Sequence, residues 1–259
     1  MYLSELDKKQ ILESLIRAAY RAGDEIMKIY GGSIDARVKP DLSPVTLADQ
    51  LAQDSIVNQL TTEFSDYKIV SEELKTQPNV IGEEFFWLVD PLDGTKEFIN
   101  KNGEFTVNIA LIQKEKPILG VVFAPAIETL YAGAINYGSF VLKKNEGKKE
   151  IECRSEAVIP EILVSRSHGV VDALPDPLSD QFGDYVARPC GSSLKFCLIA
   201  EGQADIYPRF GRTMEWDTAA GHAILIAAGG SVKTLDDEDL CYGKGNFENP
   251  FFIARGKGK

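Results

Sequence analysis

The chain has 259 residues, 44% of them hydrophobic, and a formal net charge of −11. That size and apolar share suit one large domain, or two tightly joined halves, around a substantial core. The acidity speaks against a nucleic-acid polymer as partner, which needs a basic footprint, but leaves room for a small phosphate ester if a cation such as bound metal offsets the repulsion.

The opening Met1-Tyr2-Leu3-Ser4-Glu5-Leu6-Asp7 turns acidic at once and lacks the basic-then-apolar order of a signal peptide. No apolar run approaches the ~18 residues of a transmembrane helix. Ile11, Leu15, Ala18, Ala22, Ile26 and Ile29 keep helical spacing, with Ser4 as N-cap and Gly31-Gly32 as the stop. A second helix starts at Thr46, with Asp49 three residues on in a weak capping-box pattern. Leu51, Ile56, Leu60 and Phe64 line its buried side. The period then shortens. Lys68-Ile69-Val70 and Phe85-Phe86-Trp87-Leu88-Val89 read as strands, the second apolar throughout and so covered on both faces. Strands follow over 105–112, 117–123, 129–134 and 139–142, as a meander. The segment Lys143 to Glu150 reads as a charged, solvated hairpin tip. The second half gives strand 161–165, helix 191–201, strand 204–207, helix 217–228 and a strand near 251–254. The expected organisation is an N-terminal α+β half over residues 1–136 and a C-terminal α/β half over 137–259.

Four cysteines, Cys153, Cys190, Cys197 and Cys241, form no C-x-x-C pair, which argues against a zinc knot. Spacing leaves disulfides open; buried thiols in a reducing cytoplasm fit as well. Only two histidines are present. His222 lies in an Ala-rich helix and reads as packed rather than ligating. His168, in Ser165-Arg166-Ser167-His168-Gly169, is balanced between a solvated loop and a phosphate contact. No phosphate-binding loop, dinucleotide fingerprint or nucleophile elbow occurs.

Four acidic clusters sit where apolar elements begin or end. Glu72-Glu73 follows Ile69-Val70. Asp90-Pro91-Leu92-Asp93-Gly94-Thr95 follows Leu88-Val89. Asp217 opens a helix after Trp216, and Asp49 lies in Pro44-Val45-Thr46-Leu47-Ala48-Asp49. Pro91 fixes φ and Gly94 permits positive φ, so the chain is expected to turn sharply and aim Asp90 and Asp93 at one spot. Two converging carboxylates repel unless a cation lies between them. Oxygen-only ligands point to a hard ion, magnesium first, with the Leu92 carbonyl as a neutral donor. Each piece alone reads as a turn, a solvated strand end or an N-cap; the combination carries the chemistry.

Glu72-Glu73, Asp90 to Thr95, and Trp216-Asp217-Thr218-Ala219-Ala220-Gly221 together resemble the three-part signature of the inositol monophosphatase family. The resemblance runs from about Gly23 to Ile253, and 87–125 and 191–210 are most similar to its bacterial bisphosphate nucleotidases. It implies a layered α/β/α/β/α sandwich of the inositol monophosphatase and fructose-1,6-bisphosphatase type. It implies removal of the 3′-phosphate from adenosine 3′,5′-bisphosphate, or from its phosphosulfate precursor, in sulfur metabolism. Two to three Mg²⁺ ions per site and lithium sensitivity are implied too. Glu72, Asp90 and the Leu92 carbonyl would hold one ion. Asp90, Asp93 and Asp217 would hold a second, and a third would sit near Glu72.

The same resemblance makes Asp49, Thr95 and Glu72 the catalytic set, with Thr95 and Asp49 orienting the attacking water. Glu72, Leu92, Asp93, Gly94, Thr95 and Asp217 would also line the substrate, joined by His168, Ser192, Ser193 and Lys195. Lys195 is placed at a helix start where amides, hydroxyls and an ammonium could seat a second phosphate. The rivals are an inositol or sugar monophosphatase on the same scaffold, a catalytically silent metal-binding protein, and a peripheral membrane component at the inner face of the cell membrane. Intact Asp49, Thr95 and the carboxylates oppose the silent reading; the lack of a basic amphipathic stretch opposes the membrane one.

Overall fold

The computed structural model describes residues 3–32, 36–38, 44–166 and 183–258. Helix α1 (Glu5–Tyr30) begins with the expected cap: the Asp7 N–H donates to Ser4 Oγ at 3.1 Å and the Ser4 N–H donates back to Asp7 Oδ2 at 2.9 Å. Gly31 closes it. A two-stranded antiparallel ribbon of β1 (Ala36–Val38) against β2 (Pro44–Thr46) leads into α2 (Leu47–Glu63), one residue later than predicted.

The first sheet has seven strands in the order β3-β4-β5-β6-β7-β8-β9: β3 (Lys68–Ser71), β4 (Phe85–Asp93), β5 (Thr106–Gln113), β6 (Lys116–Ala124), β7 (Thr129–Ala134), β8 (Gly138–Lys143) and β9 (Gly147–Ile151). Only β3–β4 is parallel; the rest is an antiparallel meander. The period-2 pleat splits β4 between two cores. Trp87 and Val89 pack under α1 and α2, and Phe86 and Leu88 face the opposite layer. The unbroken apolar run of β4 is therefore needed on both sides.

A five-stranded sheet follows, in the order β11-β10-β12-β14-β13, from β10 (Glu161–Ser165), β11 (Val186–Cys190), β12 (Ile206–Arg209), β13 (Ser231–Thr234) and β14 (Phe252–Arg255). Between the sheets lie α4 (Leu194–Ala200) and α5 (Glu215–Ala227); a short α3 (Thr95–Ile99) follows β4. Helix α5 presses hard on β6, because a Cβ on Gly120 would sit 2.4 Å from the Ala220 carbonyl oxygen. The absence of a side chain at Gly120 thus fixes how closely the helix carrying Asp217 approaches the first sheet. Helix pair, sheet, helix pair and second sheet make four layers. These are the layers that the described residues form, of the five expected.

Three differences from the sequence reading have physical causes. Residues 147–150, read as part of a solvated tip, pair with β8 as an edge strand; their charges suit an unpaired edge. The first sheet thus runs on through β8 and β9 to Ile151, past residue 136. The polar strands β11 and β13 carry no alternating apolar signal and went unread. All four cysteines are free thiols, three of them buried. Among the described residues no helix is long and apolar enough to cross a membrane.

Candidate active site

The acidic clusters meet where β3 and β4 end and α2, α3, α4 and α5 begin. Strand β4 does not turn at Pro91, as the sequence suggested; it runs on to Asp93 through a bulge, with Asp90 opposite Asn108 and Asp93 opposite Thr106. Residues three apart on a regular strand face opposite sides, but one extra residue restores the same face. The bulge therefore lets Asp90 and Asp93 serve one site. The turn comes at Gly94, with φ of 90°, and α3 starts at Thr95.

Glu72, Asp90 and Asp217 each offer an oxygen, and these oxygens all lie within 4.8 Å of one another. Asp90 is 1% exposed. Burial first, then the charges of Glu72, Asp93, Asp217 and Asp49, push its carboxyl well above the usual range. Asp217 is raised well above it too, by burial and then by Asp93 and Glu72. Burial raises Asp93, with Lys195 and the Ser193 hydroxyl pulling the other way. Among the described residues no lysine or arginine forms an ion pair with Asp90, Asp93 or Asp217. A set of oxygen donors this crowded, gathered on one buried carboxylate, fits a hard divalent cation, which would supply the missing positive charge. Asp49, in the first turn of α2 and 3% exposed, sits close enough for its charge to bear on Asp90.

The remaining expected residues are distributed around this cluster. The Leu92 N–H donates to Asp90 Oδ1 at 3.1 Å, and the Thr95 hydroxyl lies 3.5 Å from the Leu92 carbonyl. Ser193 Oγ lies 2.6 Å from the Asp217 carbonyl and 3.0 Å from Asp93 Oδ2, and receives an N–H from Asn108 at 2.9 Å. Ser193 thus ties α4, α5 and β4 together. Ser192 takes a left-handed φ of 45° and its hydroxyl is 3.1 Å from that of Thr106.

Lys195 is held against the turn that precedes α4. It is 4% exposed, and its ammonium donates to the Ser192 carbonyl at 2.6 Å and the Cys190 carbonyl at 3.2 Å. Two of its three N–H donors are thereby engaged within the turn. His222 is packed, its Nδ1 2.8 Å from the Tyr242 hydroxyl, and burial lowers its pKa to about 3. His168 lies outside the described residues.

The sequence reading missed Glu104. Its carboxylate accepts the Gly191 N–H at 2.7 Å and both Arg166 Nε and Nη2 at 2.7 Å. The turn at 191 can lie against it because Gly191 has no Cβ, which would stand 2.7 Å from the Glu104 carbonyl oxygen. One acid at a strand start reads as solvated; its pairing with residues 60 to 90 positions away leaves no local signal.

The model of the inositol monophosphatase family matches residues 7–251. The 3′(2′),5′-bisphosphate nucleotidase CysQ of Salmonella typhimurium is 46% identical over 246 residues, 93% of this chain and 98% of that protein. The crystal structure of CysQ from Bacteroides thetaiotaomicron, described as a bacterial member of the same family, aligns with a TM-score of 0.82 at 38% identity, covering 96% and 98% of the two chains. An inositol monophosphatase from Thermotoga maritima shares the fold, with a TM-score of 0.77 at 24% identity over 95% of this chain and 92% of its own.

Proposed function

The chain belongs to the inositol monophosphatase family, and on that premise we propose that it is a metal-dependent phosphomonoesterase acting as a 3′(2′),5′-bisphosphate nucleotidase. It removes the 3′-phosphate of adenosine 3′,5′-bisphosphate, and of the phosphosulfate precursor, leaving the 5′ group in place. The observation that carries this reading is the convergence of Glu72, Asp90 and Asp217 oxygens at the buried end of β4.

Glu72, Asp90 and the Leu92 carbonyl would hold one ion; Asp90, Asp93 and Asp217 would hold a second, and a third would lie near Glu72. Bound magnesium supplies positive charge for the phosphate oxygens, a more acidic water and stabilisation of the leaving alkoxide. The chain's own groups do the rest. Thr95 Oγ orients the attacking water and can accept its proton only as its own passes on, for which Asp49 is the acceptor. Backbone amides of Gly94 and Thr95 face the scissile phosphate. Ser192, Ser193 and the third N–H of Lys195 seat the second phosphate, with His168 a further contact. The two halves of the chain share this site, the first bringing Asp49, Glu72 and Asp90 to Thr95, the second Ser192, Ser193, Lys195 and Asp217. Four free thiols suit a reducing cytoplasm.

The test is phosphate release from adenosine 3′,5′-bisphosphate, inositol 1-phosphate and fructose 1,6-bisphosphate, each with magnesium or with EDTA. The expected result is magnesium-dependent turnover with kcat/KM highest for the nucleotide. A preference for inositol 1-phosphate or the sugar bisphosphate would replace the substrate assignment and leave the metal centre standing.

A further inference from the structure

Asp217 owes its position to the first turn of α5, and that turn is gripped by the segment running from Gly243 to Asn249. The N-cap residue is Met214, which has no side-chain oxygen to satisfy the helix amides. Asp217 supplies the reciprocal bond, its Oδ2 accepting the Met214 N–H at 2.8 Å. Among the described residues its other oxygen receives no protein donor, so one oxygen fixes the carboxylate and the other is left for a ligand.

The backbone around Met214 is itself held from outside the helix. Asn249 Nδ2 donates to the Met214 carbonyl at 2.8 Å and to Thr218 Oγ1 at 3.0 Å, and the Asn249 N–H donates to the Thr213 carbonyl at 2.9 Å. Glu215 is a fully buried acid with a full set of donors: the Gly243 N–H at 2.7 Å, the Lys244 N–H at 2.9 Å and the Lys244 ammonium at 2.7 Å. The Glu215 N–H donates in turn to the Phe247 carbonyl at 2.8 Å. These bonds fasten residues on both sides of Asp217 to one loop. A buried carboxylate satisfied this completely is costly to disturb, which makes it a rigid anchor.

We propose that Glu215, Lys244 and Asn249 are positioning residues that hold Asp217 in the rotamer the divalent cation needs, setting the affinity of the metal centre without touching ion or substrate. The proposal rests on the reading of Asp217 as a metal ligand. Groups that orient a ligand in this way are worth about tenfold or more in metal affinity.

The charges allow a test that separates positioning from plain electrostatics. Lys244→Met removes a positive charge, which by field alone would tighten cation binding; loss of the clamp would weaken it. Asn249→Ala changes no charge. Glu215→Gln is weakened on either account and serves as the reference. Magnesium binding is measured by isothermal titration calorimetry on the full chain stripped of metal, for wild type, these three variants and Asp217→Asn. Thermal unfolding of each metal-free protein is recorded alongside.

As a control for general destabilisation, Asp205→Asn loosens a buried ion pair that makes no contact with the cluster. The expected result is about tenfold weaker magnesium binding in Lys244→Met and Asn249→Ala, with Asp205→Asn binding like wild type. Wild-type or tighter binding in both folded clamp variants overturns the proposal, as does equal weakening in Asp205→Asn. If one clamp variant fails to fold, the other decides. Magnesium binding indifferent to Asp217→Asn would instead remove the ligand assignment on which the clamp depends.

Discussion

Two buried aspartates, Asp205 and Asp90, occupy opposite electrostatic conditions. Asp205, just before β12, is satisfied within the fold. Arg154 reaches it with Nε at 2.9 Å and Nη2 at 2.8 Å, and the Glu161 N–H adds a bond at 2.8 Å. Burial pushes its carboxyl up, but these partners outweigh burial and hold it below the usual range. Asp90, at the end of β4, is equally buried, and its neighbours are other acids; its carboxyl is driven well above the usual range. The difference separates scaffold from site: a buried carboxylate with a protein cation is a joint, whereas one buried against other acids and without such a partner calls for a cation from outside.

The largest expected effect follows from removing the acid that, in the proposed function, would serve both ions. Asp90→Asn should lower kcat by about a thousandfold or more, since one lost stabilising group costs about a hundred- to a thousandfold and Asp90 lies at the centre of the acidic cluster. It should also raise the melting temperature of the metal-free protein by relieving repulsion. A coincident loss of folding, seen by circular dichroism, would break the contrast with Asp205.

The reverse experiment comes next in size. Asp205→Asn should cost about 2 kcal/mol of stability, less than a fully buried pair because Arg154 is 39% exposed. Its turnover per folded molecule should stay at the wild-type value. Urea unfolding together with steady-state assays would check both halves.

Lys195 sharpens the contrast within the second half, as a buried cation spent partly on carbonyls. Lys195→Met should lower kcat/KM for adenosine 3′,5′-bisphosphate about tenfold more than for adenosine 3′-monophosphate. Equal losses on the two substrates would assign the ammonium to the 190–192 turn alone.

The smallest effect is the pH dependence of metal-free stability. Asp90 and Asp217 have folded pKa values raised above 3.8, so their contribution is complete below that value and is lost as pH climbs through the folded values. The metal-free protein should therefore melt lower at about pH 8 than at about pH 5.5, and Asp217→Asn should flatten that slope. Asp205, lowered in the fold, contributes fully above 3.8 and loses its contribution only as pH falls further. Its substitution should cost the same at both pH values.

How much of this was legible in the sequence depended on the range of the signal. The acids at 72, 90, 93 and 217 were readable because each adjoins an apolar run, and such runs announce where a buried element ends. The means by which Asp90 and Asp93 come to one face was not readable. Pro91 and Gly94 suggested a sharp turn, whereas pairing with β5 imposes a bulge that only the partner strand defines. Lys195 was placed correctly at a helix start, but its burial depends on the Cys190 and Ser192 carbonyls and on Tyr207, whose ring centre lies 5.0 Å from the ammonium. Glu104 and Glu215 were passed over because their partners lie far away in sequence or in a loop without pattern. Local periodicity reveals the elements that deliver acids to the site; it says nothing about the contacts that hold them there.

The most direct measurement is release of inorganic phosphate from adenosine 3′,5′-bisphosphate by the metal-stripped protein as magnesium is returned stepwise, with Asp90→Asn in parallel. The converging carboxylates predict no release before magnesium is added, saturable recovery on its return, and in Asp90→Asn a rate about a thousandfold or more below wild type at any concentration. Turnover that survives stripping, or an Asp90→Asn protein retaining half the wild-type rate, would contradict them.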